Sequence, residues 1–278
     1  MGCSGGMHPI KLGCSGWSYE DWKNGRFYRP GISSKEMLSF YAKIFDTVEI
    51  NSTFYRLPST PKITESWIKR TPENFIFAVK FPKQFTHAKK TRLKVSEDDL
   101  EPFLKIVIEP LEQGKKLGPI LIQFPYSFKE DYQLLENFFT NLPERYSYTI
   151  EFRHPSWLED QRKTMDLLSK YGIAYCIVSE KILPPVVEIT SDFAYIRWHG
   201  LNEPREQKYL IYNYSYSEDQ LREWVPIIKN LANEVRVFGY FNNHPNGQAP
   251  ANCNQIKRML GMKVKDPKAG QQSLDKFF

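Results

Sequence analysis

The chain has 278 residues, 41% of them hydrophobic and 25% charged, and a formal net charge of +6 at pH 7. That composition excludes a disordered, collagenous or disulfide-scaffolded chain, and the length suits one α/β domain of about 250 residues better than two separate cores. No apolar run approaches the ~18 residues of a membrane-crossing helix, so no membrane partner is expected, and the mild positive charge permits a polyanion without requiring one.

Residues 1–9 read as a loose N-terminal tail, with Met7 an alternative start. Cys3, Cys14, Cys176 and Cys253 form no C-x-x-C pair. That argues against a zinc knuckle or a disulfide framework and for a reducing compartment, so a cytoplasmic location is expected.

Residues 10–14 form a short apolar run that breaks at Ser15 and Gly16 and enters an aromatic loop with Trp17, Tyr19, Trp22, Phe27 and Tyr28. Ser33 can cap a helix running through Tyr41. Residues 47–51 alternate as a strand, which sets Glu49 and Asn51 on one face, and a helical segment with Ile63, Trp67 and Ile68 follows Pro61. Residues 75–79 read as a buried strand running into Lys80, and then a basic run, Lys83, His87, Lys89, Lys90, Arg92 and Lys94, is placed to meet phosphates. A helix over residues 100–114 leads to a strand over 119–122 that ends at Gln123. Beyond a helix at 134–139, residues 148–152 place Ile150 and Phe152 on one face and Glu151 and Arg153 on the other before Pro155 ends the ladder. A helix at 161–171 stops at Gly172, and a strand at 173–178 ends at Ser179. Residues 183–189 read as a weak helix, which Pro184 and Pro185 can reduce to a loop. The strand at 193–200 puts Arg197 and His199 on one face, and a helix capped by Ser217 precedes a last strand, 235–241, that runs into Asn242, Asn243 and His244.

Eight strand signals alternating with helical segments, with no break in composition, require crossover connections and a parallel sheet. The economical solution is a single-domain (β/α)8 TIM-type barrel over residues 10–262, in which catalytic groups gather where strands end. Glu49 and Glu151 suit a base or a metal ligand, and His154 and His199 suit proton transfer. Lys80, Arg153 and Arg197 suit a phosphate and its transition-state charge. No H-x-H or H-E-x-x-H occurs, so a divalent metal is allowed but not required.

The segments G-C-S-G-W-S-Y (13–19), V-E-I-N-S-T-F-Y (48–55), F-A-V-K-F-P (77–82), L-G-P-I-L-I-Q-F-P (117–125), E-F-R-H-P-S-W (151–157), Y-I-R-W-H-G (195–200) and Y-F-N-N-H (240–244) together resemble the YecE-like family, also called the domain of unknown function seventy-two. The resemblance covers residues 12–260 and implies a TIM barrel akin to the xylose-isomerase-like and endonuclease-IV-like barrels; it carries no settled activity. Its motifs fall on Trp17, Glu49, Asn51, Tyr55, Lys80, His87, Gln123, Glu151, Arg153, His154, Trp157, Arg197, His199, Asn242 and Asn243. Of these, Glu49, Glu151, His154 and His199 are the candidate catalytic residues and the others candidate substrate-binding residues.

Both tails lie outside that resemblance. Residues 263–270 read as a Lys-, Pro- and Gly-bearing linker, and the chain then ends with Gln271, Leu274, Phe277 and Phe278 in the pattern Q-x-x-h-x-x-a-a. This resembles the box by which archaeal and eukaryotic proteins dock on the sliding clamp PCNA. The expectation is a clamp-associated DNA-processing hydrolase, a nuclease or lesion-processing enzyme. The alternatives are a non-catalytic DNA-binding adaptor, or an enzyme acting on a sugar or phosphorylated metabolite that stacks on Trp17, Tyr19 and Tyr55.

Overall fold

In the computed structural model, which describes residues 6–24, 26–88, 93–203 and 211–265, the eight strand signals become a closed parallel barrel in sequential order. The strands are β1 (Ile10–Ser15), β2 (Thr47–Ile50), β3 (Ile76–Lys80), β4 (Leu117–Gln123), β5 (Tyr148–Glu151), β6 (Ala174–Ser179), β7 (Phe193–Trp198) and β8 (Arg236–Phe241). The ring closes where β8 pairs with β1, from Ile10 opposite Val237 to Cys14 opposite Phe241. Among the described residues no helix is long and apolar enough to cross a membrane.

Side-chain alternation sorts the strands into two layers. Val48, Phe77, Val79, Ile120, Ile122, Ile150, Ile177 and Ile196 face outward into the large core shared with the helices. Their neighbours Ala78, Leu121, Cys176, Tyr195 and Tyr240 form a separate buried cluster on the barrel axis. An eight-stranded barrel is just wide enough to be filled by such side chains, so whatever stands on the inward positions one pair further along must meet across the axis. In β2, β3, β4, β5 and β7 those positions hold Glu49, Lys80, Gln123, Glu151 and Arg197.

The helices begin where their caps dictate. Ser33 with Glu36, Ser96 with Asp99, and Ser217 with Gln220 make capping boxes for the helices that start at Ser34, Glu97 and Glu218. Pro184 and Pro185 lie in a helix-free connection between β6 and β7, as their missing donors require. Two details differ from the sequence reading. The stretch expected as one helix at 100–114 is interrupted by a π-turn at Leu104–Ile108, followed by Pro110, which has no amide hydrogen to donate. A further helix, Gln248–Met259, packs against the β8–β1 closure; its buried Ala249, Cys253 and Ile256 supply an apolar stripe that Asn252, Asn254 and Lys257 obscure in the sequence. Lys89, Lys90 and Arg92 of the basic run and the segment with Gln271, Leu274, Phe277 and Phe278 lie outside the described residues.

Candidate functional site at the barrel mouth

The inward residues at the C-terminal ends of the strands form one connected charge lattice. Arg197 reaches two carboxylates: Nη2 donates to Glu49 Oε1 at 2.7 Å, and Nη1 donates to Glu151 Oε2. Tyr195, two residues earlier on the same face, donates its hydroxyl to Glu49 Oε2 at 2.7 Å. Arg153 pairs through Nε with Glu151 Oε1, and its Nη1 donates to Glu180 Oε2 at 2.7 Å and to the Tyr126 hydroxyl at 2.6 Å. His199 sits in the middle: its Nε2 lies 3.0 Å from Arg153 Nη2 and 3.3 Å from Glu151 Oε1, and the Asn242 amide meets Nδ1 at 3.0 Å. Beside this lattice Lys80 Nζ donates to Gln123 Oε1 at 2.7 Å and rests 4.2 Å over the Phe54 ring.

Exposure divides the lattice into an inner and an outer part. Glu49, Glu151 and Arg197 are 0% exposed, whereas Lys80 and Glu180 keep 8% of their surface in solvent and Asn242 keeps 7%. The sealed members orient; the outer ones are placed to touch a ligand. Apolar residues of the same volume often hold a core as well as buried ion pairs do, so a lattice of this kind is weak evidence of a stability role and better evidence of a site.

Burial and neighbouring charge set the protonation states. Burial would raise the Glu151 carboxyl, but Arg153 and Arg197 beside it outweigh that and hold it well below the usual range. Burial, reinforced by Arg153, lowers His199 to about 3, so the imidazole is neutral. Burial, reinforced by Arg197, lowers Lys80 to about 7. Glu180 is pushed upward, chiefly by burial. The mouth thus holds an amine lowered to about 7, a neutral imidazole and a carboxyl raised by burial above its ordinary value.

Next to the lattice, Trp17, Tyr19, Asn51 and Tyr55 line a cavity of about 250 Å³. Tyr19 stacks on His244 at 4.6 Å, and Tyr55 is exposed, so an aromatic wall is open to a flat ligand. Asn51 follows β2 directly and leads the short helix Ser52–Tyr55, with its Oδ1 buried and, among the described residues, without a hydrogen-bond partner.

The structure brings Glu49, Glu151, Arg153, Arg197, His199 and Asn242 into one lattice, with Lys80 and Gln123 beside it and Trp17, Asn51 and Tyr55 in the adjoining cavity. His87 meets Phe54, the ring beneath Lys80, at an interplanar angle of 85°. Other sequence candidates have structural partners. Trp157 is buried, stacked on Phe152 at 4.3 Å with Nε1 donating to the Phe128 carbonyl at 3.0 Å. His154 Nδ1 accepts from the Ser156 amide at 3.2 Å and so caps the turn Pro155–Leu158. Asn243 donates to the Tyr214 carbonyl and to Asn252 Oδ1, tying a loop to the last helix. Sequence reasoning missed Glu180, Tyr126 and Tyr195. Glu180 stands one residue past β6, and the spacing of Tyr195, Arg197 and His199 by twos was the signal for Tyr195. Tyr126 had none, since its place depends on the loop after β4. Among the described residues no three His, Cys, Asp or Glu side chains gather to hold a metal ion.

The family model described as a protein of unknown function, DUF72, matches residues 11–275. It therefore extends past the 12–260 span of the sequence motifs and takes in Gln271 and Leu274, correcting the expectation that the C-terminal tail stands wholly outside the family. Curated relatives are bacterial. The UPF0759 protein YunF of Bacillus subtilis is 27% identical, covering 90% of this chain and 94% of that protein. The UPF0759 protein YecE of Escherichia coli is 32% identical over 62% of this chain and 60% of that protein. Among solved structures, a DUF72 family protein from Thermotoga maritima has a TM-score of 0.82 at 34% identity, covering 91% of this chain and all of that one. One from Enterococcus faecalis, 22% identical with a TM-score of 0.80, shares the fold over 92% of this chain and 97% of that one.

Proposed function

We propose that this chain, which belongs to the DUF72 family, is a DNA-processing enzyme: a hydrolase, nuclease or lesion-processing, that works at the barrel mouth and is held on DNA by the sliding clamp. The observation that carries the enzymatic part is the sealed Glu49–Arg197–Glu151–Arg153 lattice beneath an outer shell of Lys80, Glu180 and Asn242. The lattice fixes its side chains from several strands, which is the preorganisation that transition-state charge stabilisation needs. Glu180 supplies an acid and Lys80 a base, their protonation tendencies set in opposite senses by the same burial. The aromatic wall of Trp17, Tyr19 and Tyr55 offers stacking for an extruded base.

Support for DNA is chemical. The basic run from Lys80 to Lys94 follows β3 in the sequence, the net charge is positive, and the C-terminal Gln271, Leu274, Phe277 and Phe278 have the clamp-box pattern. The test is a screen of end-labelled duplexes that carry nicks, branches, uracil or abasic sites, with and without divalent cations and clamp. Product with wild type that falls at least 100-fold in Glu180→Gln, assayed below the Tm of that variant so that it is folded, supports the reading. DNA bound without product under any condition makes the chain an adaptor instead.

A further inference from the structure

Lys80 has an environment that differs in kind from that of the arginines in the lattice. Both arginines take carboxylate partners, while no carboxylate of the described residues lies within ion-pair distance of Lys80. Its fixed polar contact is Gln123 Oε1, and the orientation of that carboxamide is set by its own Nε2, which donates to the Phe124 carbonyl at 3.1 Å. An acceptor therefore faces Nζ, and an acceptor takes a hydrogen and leaves the nitrogen lone pair unused. Nζ also rests on the face of the Phe54 ring at 4.2 Å, and Lys80 keeps 8% of its surface in solvent. Burying an unpaired ammonium is costly, and burial does lower Lys80 to about 7, so the free amine is well populated at neutral pH. A desolvated amine of this kind is the form in which lysine attacks carbonyl carbon.

We propose that Lys80 is a catalytic nucleophile that condenses with an aldehyde, and that the substrate class is the open-chain aldehyde of a phosphorylated deoxyribose, the group an abasic site in DNA displays; this deepens the lesion-processing reading and rests on it. The neutral amine adds to the carbonyl carbon, forming a C–N bond as the carbonyl π pair moves to oxygen. The C–O bond of the carbinolamine then breaks, and the oxygen leaves as water with the two hydrogens that nitrogen brought. A C=N bond remains. Protonated from solvent, it becomes an iminium cation over the Phe54 face, where the ring quadrupole favours positive charge, and within the field of Glu49 and Glu151. Asn51 and Tyr55, in the adjoining cavity, are placed to hold the rest of the nucleotide.

The experiment is reductive trapping. Full-length protein is mixed with a duplex oligonucleotide carrying one abasic site, and in a second arm with free 2-deoxyribose 5-phosphate, each with sodium borohydride to deliver hydride to the C=N carbon. The expected result is a covalent adduct in the DNA arm, located on Lys80 by tandem mass spectrometry. The yield should fall at least ten-fold in both Lys80→Met and Lys80→Arg, with each variant's fold checked by its Tm. An adduct on Lys80 with the free sugar phosphate and none with DNA supports the nucleophile and overturns the DNA source. Abasic-site cleavage by wild type without an adduct on Lys80 overturns the nucleophile and leaves the proposed function standing. No adduct on Lys80 in either arm, or trapping unchanged in both variants, overturns the proposal.

Discussion

Replacing Glu151 by Gln keeps the size and shape of the side chain and removes the charge on which two buried cations rely. In the native lattice Glu151 meets Arg153 Nε through Oε1 and Arg197 Nη1 through Oε2, with His199 Nε2 at 3.3 Å. After the change, Arg153 and Arg197, 1% and 0% exposed, retain among the described residues only Glu180 and Glu49 as counter-charges. Removing one partner of a buried pair costs about 3–5 kcal/mol because the other charge stays buried. At ~2.1 cal/mol/K of unfolding entropy per residue over 278 residues, that is a fall of roughly 5–9 °C in Tm. Thermal melts at pH 7 and urea titrations of the same samples measure it. The double variant Glu151→Gln/Arg153→Met should be more stable than the sum of the two single changes, because it also removes the cation left behind. A Tm within 1 °C of wild type for Glu151→Gln would refute the reasoning, since the arginines would then not depend on this carboxylate.

Lys80 carries a pH signature whose sign is fixed. Its folded value of about 7 lies below the unfolded ~10.4, so the stability tied to the neutral amine is complete above pH ~10 and is lost as pH falls toward 7. The stability of Lys80→Met relative to wild type should therefore rise by about 1.4 kcal/mol per pH unit from pH 10 to 7 and level off below, and a constant difference across that window would contradict it. Trp157→Ala, which removes a fully buried ring from its stack on Phe152, should cost about 3–5 kcal/mol in urea titrations while borohydride trapping at Lys80 persists in the folded fraction. Replacing Lys89, Lys90 and Arg92 with Ala should flatten the log–log salt dependence of duplex binding by about 2.7, and an unchanged slope would show that these side chains meet no phosphate. A peptide of the last eight residues should bind the clamp of the same organism with micromolar Kd and weaken at least ten-fold in Phe277→Ala and Phe278→Ala; no binding by the wild-type peptide would remove the clamp from the account.

The charged centre of the site was legible because strands have a period of two. Glu151 and Arg153 alternate with apolar Ile150 and Phe152, Arg197 and His199 do the same in β7, and a parallel barrel leaves the inward residues at strand ends no option but to meet. The outer shell was less legible because it depends on the paths of loops. Glu180 turns inward just past β6, and Tyr126 reaches Arg153 only after the chain has left β4. The same strand-end rule also singled out Trp157, His154 and Asn243, which have structural partners. An aromatic, an imidazole and a carboxamide just past a strand also fill the space beneath a helix, cap a turn or tie two loops together, and these three do so. Nor did the sequence disclose which carboxylates are sealed, since Glu49 and Glu180 look alike as letters and differ in the neighbours that cover them.

DNA is proposed to be worked on at the mouth of the barrel. A crystal structure of the full chain with a short single-stranded oligonucleotide carrying an abasic analogue tests it most directly. The expected result is a nucleotide beside Trp17, Tyr19 and Tyr55, with its sugar within hydrogen-bonding reach of Lys80 and Glu180. A strand bound only at the opposite, N-terminal face of the barrel, around Lys11 and Arg236, with the mouth empty, would contradict it.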